Sequence, residues 1–348
     1  MRYVSRIEPG HRIFRWDLDK TYLRTEFDTV RDLLRTALEP PARKRTVPGA
    51  AAILREIRAT GPAGVYILSG SPEQMRKRLE QKLLLDGIQW DGFTLKPVVK
   101  KLTRGHFRFL KDQVAYKLGA LLESRASVDP FTVEILFGDD AEADAFVYSL
   151  YAEVVAGRAN EEVLLRVLAE TGAYEEDVKR ILEFARSITH AEAVERIFIH
   201  LDRVRPADSF VELGSRVCPF YNYLQPALVL VEDGVFTAQA ALRVGAAILQ
   251  ERGMSPEALG ASFDDLARRG FVGKKTALAL LEARDTDLTS ARVKKAMSDL
   301  FRDLELKLRR LPDAVPSGTS EIDFASLYGR DHALARAAKA RVVRRRRR

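Results

Sequence analysis

The sequence predicts an α/β fold, with a three-layer, Rossmann-like parallel sheet followed by an all-α helical region. Short apolar runs at residues 13–16, 64–68 and 133–137 alternate with longer helical stretches, and this alternation is typical of a parallel sheet. After residue 157 the pattern changes to amphipathic helices alone. A chain of 348 residues is long enough for two domains.

Three segments follow from these patterns. Residues 1–157 are predicted to form the α/β domain, with one helix near residues 27–37 between the first two strands. Residues 158–311 are predicted to form a helical domain of unknown role, and residues 312–348 a linker with an Arg-rich tail. In the second segment, helical periodicity is found at residues 161–171, 175–189, 191–203, 236–252, 255–269, 274–283 and 290–310.

Three of the four groups of candidate site residues stand just after a predicted strand, and the fourth, Lys117, stands on a predicted helix. The carboxyl ends of parallel strands meet at one edge of a sheet, and ligands bind in the crevice outside it. We therefore expect these groups to converge, although they are far apart in sequence. Carboxylates, hydroxyls and an ammonium group together suit Mg²⁺ and phosphate. The residues concerned are Asp17, Asp19, Thr21, Ser69, Gly70, Lys117, Asp139 and Asp144.

The same residues resemble the motifs of the haloacid dehalogenase-like superfamily. Asp17, Asp19 and Thr21 match its D-x-D-x-T motif, and Ser69 matches the Ser or Thr that ends its second motif strand. Within that superfamily the chain is most similar to the actin-patch-type phosphatidate phosphatases. Their S-x-S-P, H-K-L and G-D-S-G-E-x-D motifs are resembled by residues 69–72, 116–118 and 138–144. The similarity covers residues 12–151, and it departs from the family at Glu73, where relatives carry Trp, and at Asp140, where they carry Ser.

The resemblance implies a Mg²⁺-dependent phosphomonoesterase that forms an aspartyl-phosphate. Asp17 would be the nucleophile, and Asp19 would act as general acid and then as general base. Ser69 would bind a phosphoryl oxygen, and Lys117 would neutralise charge on the transferring group. Lys111 is a rival for the role of Lys117. Substrate binding would also involve Thr21 and Gly70.

The implied cofactor is Mg²⁺, which prefers oxygen ligands. The residues expected at the metal are Asp17, Asp139, Asp144 and, through its backbone carbonyl, Asp19. Phosphatidate or another phosphorylated lipid is the substrate class that the resemblance suggests. Two alternatives stay open: a nucleic-acid-end phosphatase or binding protein, and a scaffold whose phosphatase domain is inactive.

The charge of the chain is concentrated in its tail. The formal net charge is +8, with 57 basic and 49 acidic residues in all. Residues 330–348 contain nine basic residues and one acidic residue, so the rest of the chain holds 48 of each and is neutral. We therefore expect contact with anionic surfaces to depend on the tail, and not on a basic face of the body.

Two further features bear on localisation and on phosphate binding. Cys218 is the single cysteine, which favours a reducing compartment, and no apolar run is long enough to span a bilayer. We expect a cytoplasmic protein, with peripheral membrane contact as an open alternative. The segment Gly273-Lys274-Lys275-Thr276 partly resembles a phosphate-binding loop, but Arg268 stands where that motif needs its first Gly, so we reject it.

Overall fold

A computed structural model describes most of the chain. It covers residues 11–24, 45–96, 106–141, 143–202, 205–286 and 291–316, together with residues 318, 322–324, 326 and 327. In residues 106–112 only the backbone is described. The helix predicted near residues 27–37 and the Arg-rich tail lie outside the described residues.

Six parallel strands form the central sheet in the order β3-β2-β1-β4-β5-β6. The predicted α/β class with a Rossmann-like parallel sheet is therefore confirmed. The apolar runs that predicted the first, second and fourth strands are buried in the middle of this sheet. The strands are β1 (Arg12–Asp17), β2 (Gly64–Pro72), β3 (Gly92–Lys96), β4 (Val133–Asp139), β5 (Val194–His200) and β6 (Val217–Phe220).

The strand order places a topological switch point at the centre of the sheet. From β1 the chain adds β2 and β3 on one side, and β4, β5 and β6 then follow on the other side. A crevice for ligands forms at such a point, outside the carboxyl ends of the two central strands. Asp17 is the last residue of β1 and Asp139 is the last residue of β4, so both flank this crevice.

Helices cover both faces of the sheet, with one hydrophobic core on each side. One face is covered by α3 (His106–Ala126), α4 (Asp144–Val155), α5 (Glu161–Thr171) and α6 (Glu175–Ser187). The opposite face is covered by α1 (Ala50–Ala59), α2 (Arg76–Leu85), α7 (Leu224–Glu232), α8 (Ala238–Gln250), α9 (Ala258–Arg268), α10 (Lys274–Glu282) and α11 (Ala291–Lys307).

The expected all-α region after residue 157 is not confirmed. Residues 191–203 were predicted to be a helix, and this prediction is wrong because Val194–His200 forms β5. Strand β6 also lies in this part of the chain, and both strands extend the central sheet. The helices that follow share a core with α1 and α2. A bidentate ion pair also joins Arg243 on α8 to Glu56 on α1.

The other predicted helices of this region agree with the structure to within a few residues. Helix α5 has the predicted bounds, while α6, α8, α9, α10 and α11 begin or end slightly inside theirs. Helix α7 was not predicted, and it contains the apolar run at residues 227–231. Among the residues that the structure describes, no helix combines the length and the apolar character needed to cross a membrane.

Candidate active site

Asp17 lies at the start of a tight turn that leaves the sheet. The amides of Tyr22 and Leu23 both donate to the carbonyl of Leu18, at 2.9 and 2.8 Å. Lys20 has a φ of 60°, a left-handed conformation that is unfavourable for a residue with a β-carbon. The turn brings Thr21 back to β1, where its hydroxyl donates to Asp17 Oδ2 at 3.3 Å.

Lys117 reaches Asp17 from helix α3. Its Nζ lies 3.0 Å from Asp17 Oδ1 and 2.5 Å from Asp144 Oδ1. The side chain of Lys117 is only 1% exposed, whereas a lysine on a helix is ordinarily solvated. A fully buried ammonium group needs carboxylate partners, and here Asp17 and Asp144 provide them. The side chain of Lys111, the rival candidate, lies outside the described residues.

Three buried carboxylates form a group with the spacing of a cation site. The groups of Asp17, Asp139 and Asp144 each offer an oxygen atom, and these atoms lie within 4.8 Å of one another. Asp144 Oδ2 accepts from the amide of Asp139 at 3.2 Å, so Asp144 orients both Lys117 and the end of β4. A β-carbon at Gly138 would lie 2.5 Å from Asp144 Oδ2, which explains why glycine precedes Asp139.

The side chain of Asp19 contacts the end of β2. Its Oδ2 accepts from the hydroxyl groups of Ser69 and Ser71, at 2.9 and 2.8 Å. Ser69 Oγ accepts in turn from the amide of Ser71 at 3.0 Å. The structure therefore joins the first and second motifs directly. Ser71 belongs to the segment that resembles S-x-S-P, and the structure adds its hydroxyl as a second donor to Asp19.

Helix α3 contributes two more groups near the candidate site, Tyr116 and Gln113. The hydroxyl of Tyr116 donates to the carbonyl of Ser69 at 3.1 Å. Gln113 lies one helical turn before Lys117 and is buried against Gly70, where a β-carbon would come within 2.5 Å of its Nε2. Residues four apart share one face of a helix, so this spacing could have pointed to Gln113.

His200 and Tyr223 also lie at this edge of the sheet, and sequence reasoning missed both. His200 Nδ1 lies 2.8 Å from the carbonyl of Lys20, and the hydroxyl of Tyr223 donates to the carbonyl of Thr21 at 2.5 Å. Burial lowers the pKa of His200 and raises that of Tyr223. A strand reading of the run Ile197-Phe198-Ile199 would have placed His200 at a strand end.

The segment at residues 273–276, which partly resembles a phosphate-binding loop, binds a carboxylate of the same chain. Glu232 Oε2 accepts from the amides of Gly273 and Thr276, at 3.0 and 3.2 Å, and from the hydroxyl of Thr276 at 2.6 Å. Lys275 donates to the backbone carbonyl of Glu232. A carboxylate therefore lies at the N-terminus of α10, where a phosphate group would otherwise be favoured.

Comparisons of the chain with protein-family models, with curated proteins and with solved structures give no significant match. The chemistry available to this site is therefore inferred from its own residues. The carboxylate of Asp17, a buried ammonium group, paired hydroxyl groups and a further pair of carboxylates meet at the switch point of the sheet. Such a set can hold a divalent cation and a phosphoryl group.

Proposed function

We propose that this protein is a Mg²⁺-dependent phosphomonoesterase that works through an aspartyl-phosphate on Asp17. The observation that carries the proposal is the environment of Asp17. Its two oxygen atoms are bound by Lys117 at 3.0 Å and by Thr21 at 3.3 Å, in a crevice that also contains Asp139 and Asp144. The resemblance of the four motifs to the haloacid dehalogenase-like superfamily supports the same assignment.

In the first step, a carboxylate oxygen of Asp17 attacks the phosphorus atom of the ester. The new P–O bond to Asp17 forms as the P–O bond to the alcohol breaks, and the leaving oxygen takes a proton from Asp19. Lys117 neutralises negative charge that builds up on the phosphoryl oxygens. The hydroxyl groups of Ser69 and Ser71 lie 2.9 and 2.8 Å from Asp19 Oδ2, close enough to hold the acid next to the bound ester.

In the second step, water attacks the phosphorus atom of the aspartyl-phosphate. Asp19, now ionised, takes a proton from that water, the bond to Asp17 breaks, and inorganic phosphate leaves. Both carboxylates thereby return to their starting states. The two steps need two acids with different roles, and their surroundings differ accordingly: Asp17 contacts an ammonium group, while Asp19 contacts two neutral hydroxyl groups.

The donor set fits Mg²⁺. Asp17, Asp139 and Asp144 bring three carboxylates within 4.8 Å of one another, and Lys117 brings a single positive charge to them. Carboxylate oxygens are ligands that Mg²⁺ prefers in proteins. When bound, Mg²⁺ would supply charge neutralisation and orientation for the phosphoryl oxygens. Asp144, which already contacts Lys117 and the amide of Asp139, fits a supporting role.

The substrate class rests on the resemblance to phosphatidate phosphatases, and a phosphorylated lipid is the leading candidate. The departures at Glu73 and Asp140 bear on this choice. Glu73 forms an ion pair with Arg76, so it does not present a bare negative charge to a substrate. Asp140 is buried, and its Oδ2 accepts from the amide of Arg205 at 3.3 Å.

The test is a release assay for inorganic phosphate with the purified full chain. Substrates would include phosphatidate in mixed micelles, nucleotides, sugar phosphates and DNA with a terminal phosphate, each with Mg²⁺ and with excess chelator. We expect Mg²⁺-dependent release from at least one ester, and its loss in Asp17→Asn. Chelator-resistant release, or wild-type rates in Asp17→Asn, would contradict the proposal.

The same assay separates the alternatives. Turnover of DNA ends in preference to lipid would favour the nucleic-acid-end phosphatase. Absence of turnover with every ester class, together with absence of a phosphorylated Asp17 after incubation with acetyl phosphate, would favour the inactive scaffold. The Asp299→Asn variant is a matched control, because Asp299 lies exposed on α11 and pairs only with its neighbour Arg302 among the contacts described.

A further inference from the structure

Tyr223, just before the start of helix α7, contacts the turn at residues 17–21, which follows Asp17 and β1. It is fully buried, and its hydroxyl donates to the carbonyl of Thr21 at 2.5 Å. The ring is stacked on Trp16 of β1, with centroids 5.8 Å apart and planes at 19°. Burial raises the pKa of Tyr223 well above its ordinary value, so the hydroxyl keeps its proton and remains a donor.

His200 reaches the same turn from the end of β5. Its Nδ1 lies 2.8 Å from the carbonyl of Lys20, and because a carbonyl can only accept, Nδ1 carries the proton. The imidazole ring lies nearly parallel to the ring of Tyr223, at 6.0 Å and 18°. The two side chains therefore form one stacked unit beside the turn.

The two contacts fix successive peptide units of the turn. A peptide unit is planar, so anchoring the carbonyl of Lys20 also sets the direction of the Thr21 amide, and anchoring the carbonyl of Thr21 sets that of the next amide. Thr21 is then held at its carbonyl by Tyr223 and at its hydroxyl by Asp17 Oδ2, 3.3 Å away. A hydrogen-bonded path thus runs from Tyr223 through Thr21 to Asp17.

We propose that His200 and Tyr223 are positioning residues that fix the turn at residues 17–21, and with it the carboxylate of Asp17, for attack on phosphorus. This inference rests on the proposed phosphatase function. It also gives the second half of the chain a role in the site, because both residues follow residue 157. The turn needs such support, since Lys20 adopts a left-handed conformation that its own side chain disfavours.

Tyr223→Phe removes the donor and keeps the stacked ring. A neutral buried hydrogen bond corresponds to roughly tenfold in a rate or equilibrium constant. We expect kcat to fall about tenfold with KM little changed, because the variant loses orientation of the nucleophile and not substrate contacts. Tyr221→Phe is the matched control: Tyr221 lies two residues earlier and is 45% exposed, and it should keep wild-type kinetics.

A second test compares the kcat values of two variants in which a neutral amide replaces His200. The side-chain nitrogen of Asn can replace Nδ1, whereas that of Gln extends to the position of Nε2. His200→Asn should therefore retain most of kcat, and His200→Gln should lose about as much as Tyr223→Phe. A purely structural loss of the ring would affect both variants alike, so equal kcat values for them would overturn the role of His200.

Amide hydrogen exchange provides a readout that does not depend on activity. In Tyr223→Phe the amides of residues 20–23 should exchange faster, while those of β2 stay protected. If the wild type hydrolyses an ester and Tyr223→Phe keeps its kcat, the inference is overturned. If the wild type hydrolyses none, the proposed function fails first, and unchanged exchange at residues 20–23 then overturns the positioning role separately.

Discussion

At the scale of single residues, the two carboxylates of the first motif differ in their partners. Asp17 contacts the ammonium group of Lys117, which places a positive charge beside the carboxylate that we propose as the nucleophile. Asp19 contacts the hydroxyl groups of Ser69 and Ser71. A hydroxyl can donate to a carboxylate and, after rotation, accept from a carboxylic acid, so these contacts are compatible with both protonation states of Asp19.

Asp19→Asn tests this division of roles. We expect turnover of an alkyl phosphate to fall about 10²- to 10⁴-fold, which is the usual contribution of a positioned acid–base group. The loss should be smaller with nitrophenyl phosphate, because nitrophenolate leaves without protonation. Steady-state rates on the two esters give the comparison, with Asp299→Asn as the control. Equal losses on both esters would remove Asp19 from the role of general acid.

The side chains of the candidate site could be selected from the sequence because each one follows an apolar strand or stands in a recognisable motif. The structure brings Asp17, Lys117, Asp139 and Asp144 into contact, and Asp19 with Ser69. The contacts of His200 and Tyr223 could not be predicted in this way. Both side chains contact backbone carbonyls, which every residue possesses, so the pairing depends on the folded positions of β5 and α7 and has no residue-type pattern.

At the scale of secondary-structure elements, β4 carries two separate polar groups. Asp139 ends the strand at the candidate site, while Glu134 lies five positions earlier, about 16 Å away at the usual rise per residue. Glu134 is fully buried and accepts from Arg15 at 2.5 Å, from Arg125 at 2.9 Å and from Tyr151 at 2.8 Å. These contacts join β1, α3 and α4 to β4, so this end of the strand serves stability.

Glu134→Gln should destabilise the fold strongly. Removing one partner of a fully buried ion pair costs about 3–5 kcal/mol, because the arginine side chains keep their charge in the core. Urea unfolding at pH 7 would measure the change in the free energy of unfolding. Glu175→Gln is the control, since Glu175 is 81% exposed in its pair with Lys179 and should alter stability little. Equal stability of Glu134→Gln and wild type would contradict the prediction.

The effect of pH has a defined sign. Burial by itself would raise the pKa of Glu134, but Arg15 and Arg125 outweigh it and the pKa is lowered from 4.5. The folded state therefore gains stability from this group above about pH 4.5, and loses it as the pH falls through the folded-state pKa. The stability difference between wild type and Glu134→Gln should shrink at acid pH. A difference that stays constant from pH 7 down to pH 3 would argue against this assignment.

Strand β5 shows where secondary structure could not be read from the sequence. Ala193, Ile197 and Leu201 are spaced as on one face of a helix, and this favoured a helical interpretation. The strand is buried between the two cores, with Phe198 in one and Ile197 and Ile199 in the other. A strand buried on both faces loses its alternation, so short apolar runs of this kind fit either structure.

At the scale of the whole molecule, the second half of the chain continues the fold of the first. It adds β5 and β6 to the sheet, contributes helices to the core that contains α1 and α2, and brings His200 and Tyr223 to the turn at residues 17–21. Helical periodicity correctly indicated most of its helices. It could not show that they share cores with the strands of the sheet, because an amphipathic helix presents the same apolar stripe to a sheet and to another helix.

The Arg-rich tail should act separately from the catalytic residues. Deleting residues 341–348 should leave turnover of a small soluble ester unchanged, because the motifs end at Asp144. It should weaken binding to vesicles that contain phosphatidylserine, most clearly at low salt, where charges are less screened. Vesicle sedimentation, with a parallel titration against DNA, measures this. Unchanged binding to both would show that the tail contributes nothing to anionic contacts.

Glu232 occupies the N-terminus of α10, where a free anion would otherwise be favoured. Because it belongs to the same chain, its carboxylate competes for the N-terminus of α10 at the effective concentration of a tethered ligand, of millimolar order or higher. A free phosphate would have to displace it from two amides and a hydroxyl. Glu232 therefore acts as a built-in competitor that disfavours the binding of free phosphate at the N-terminus of α10.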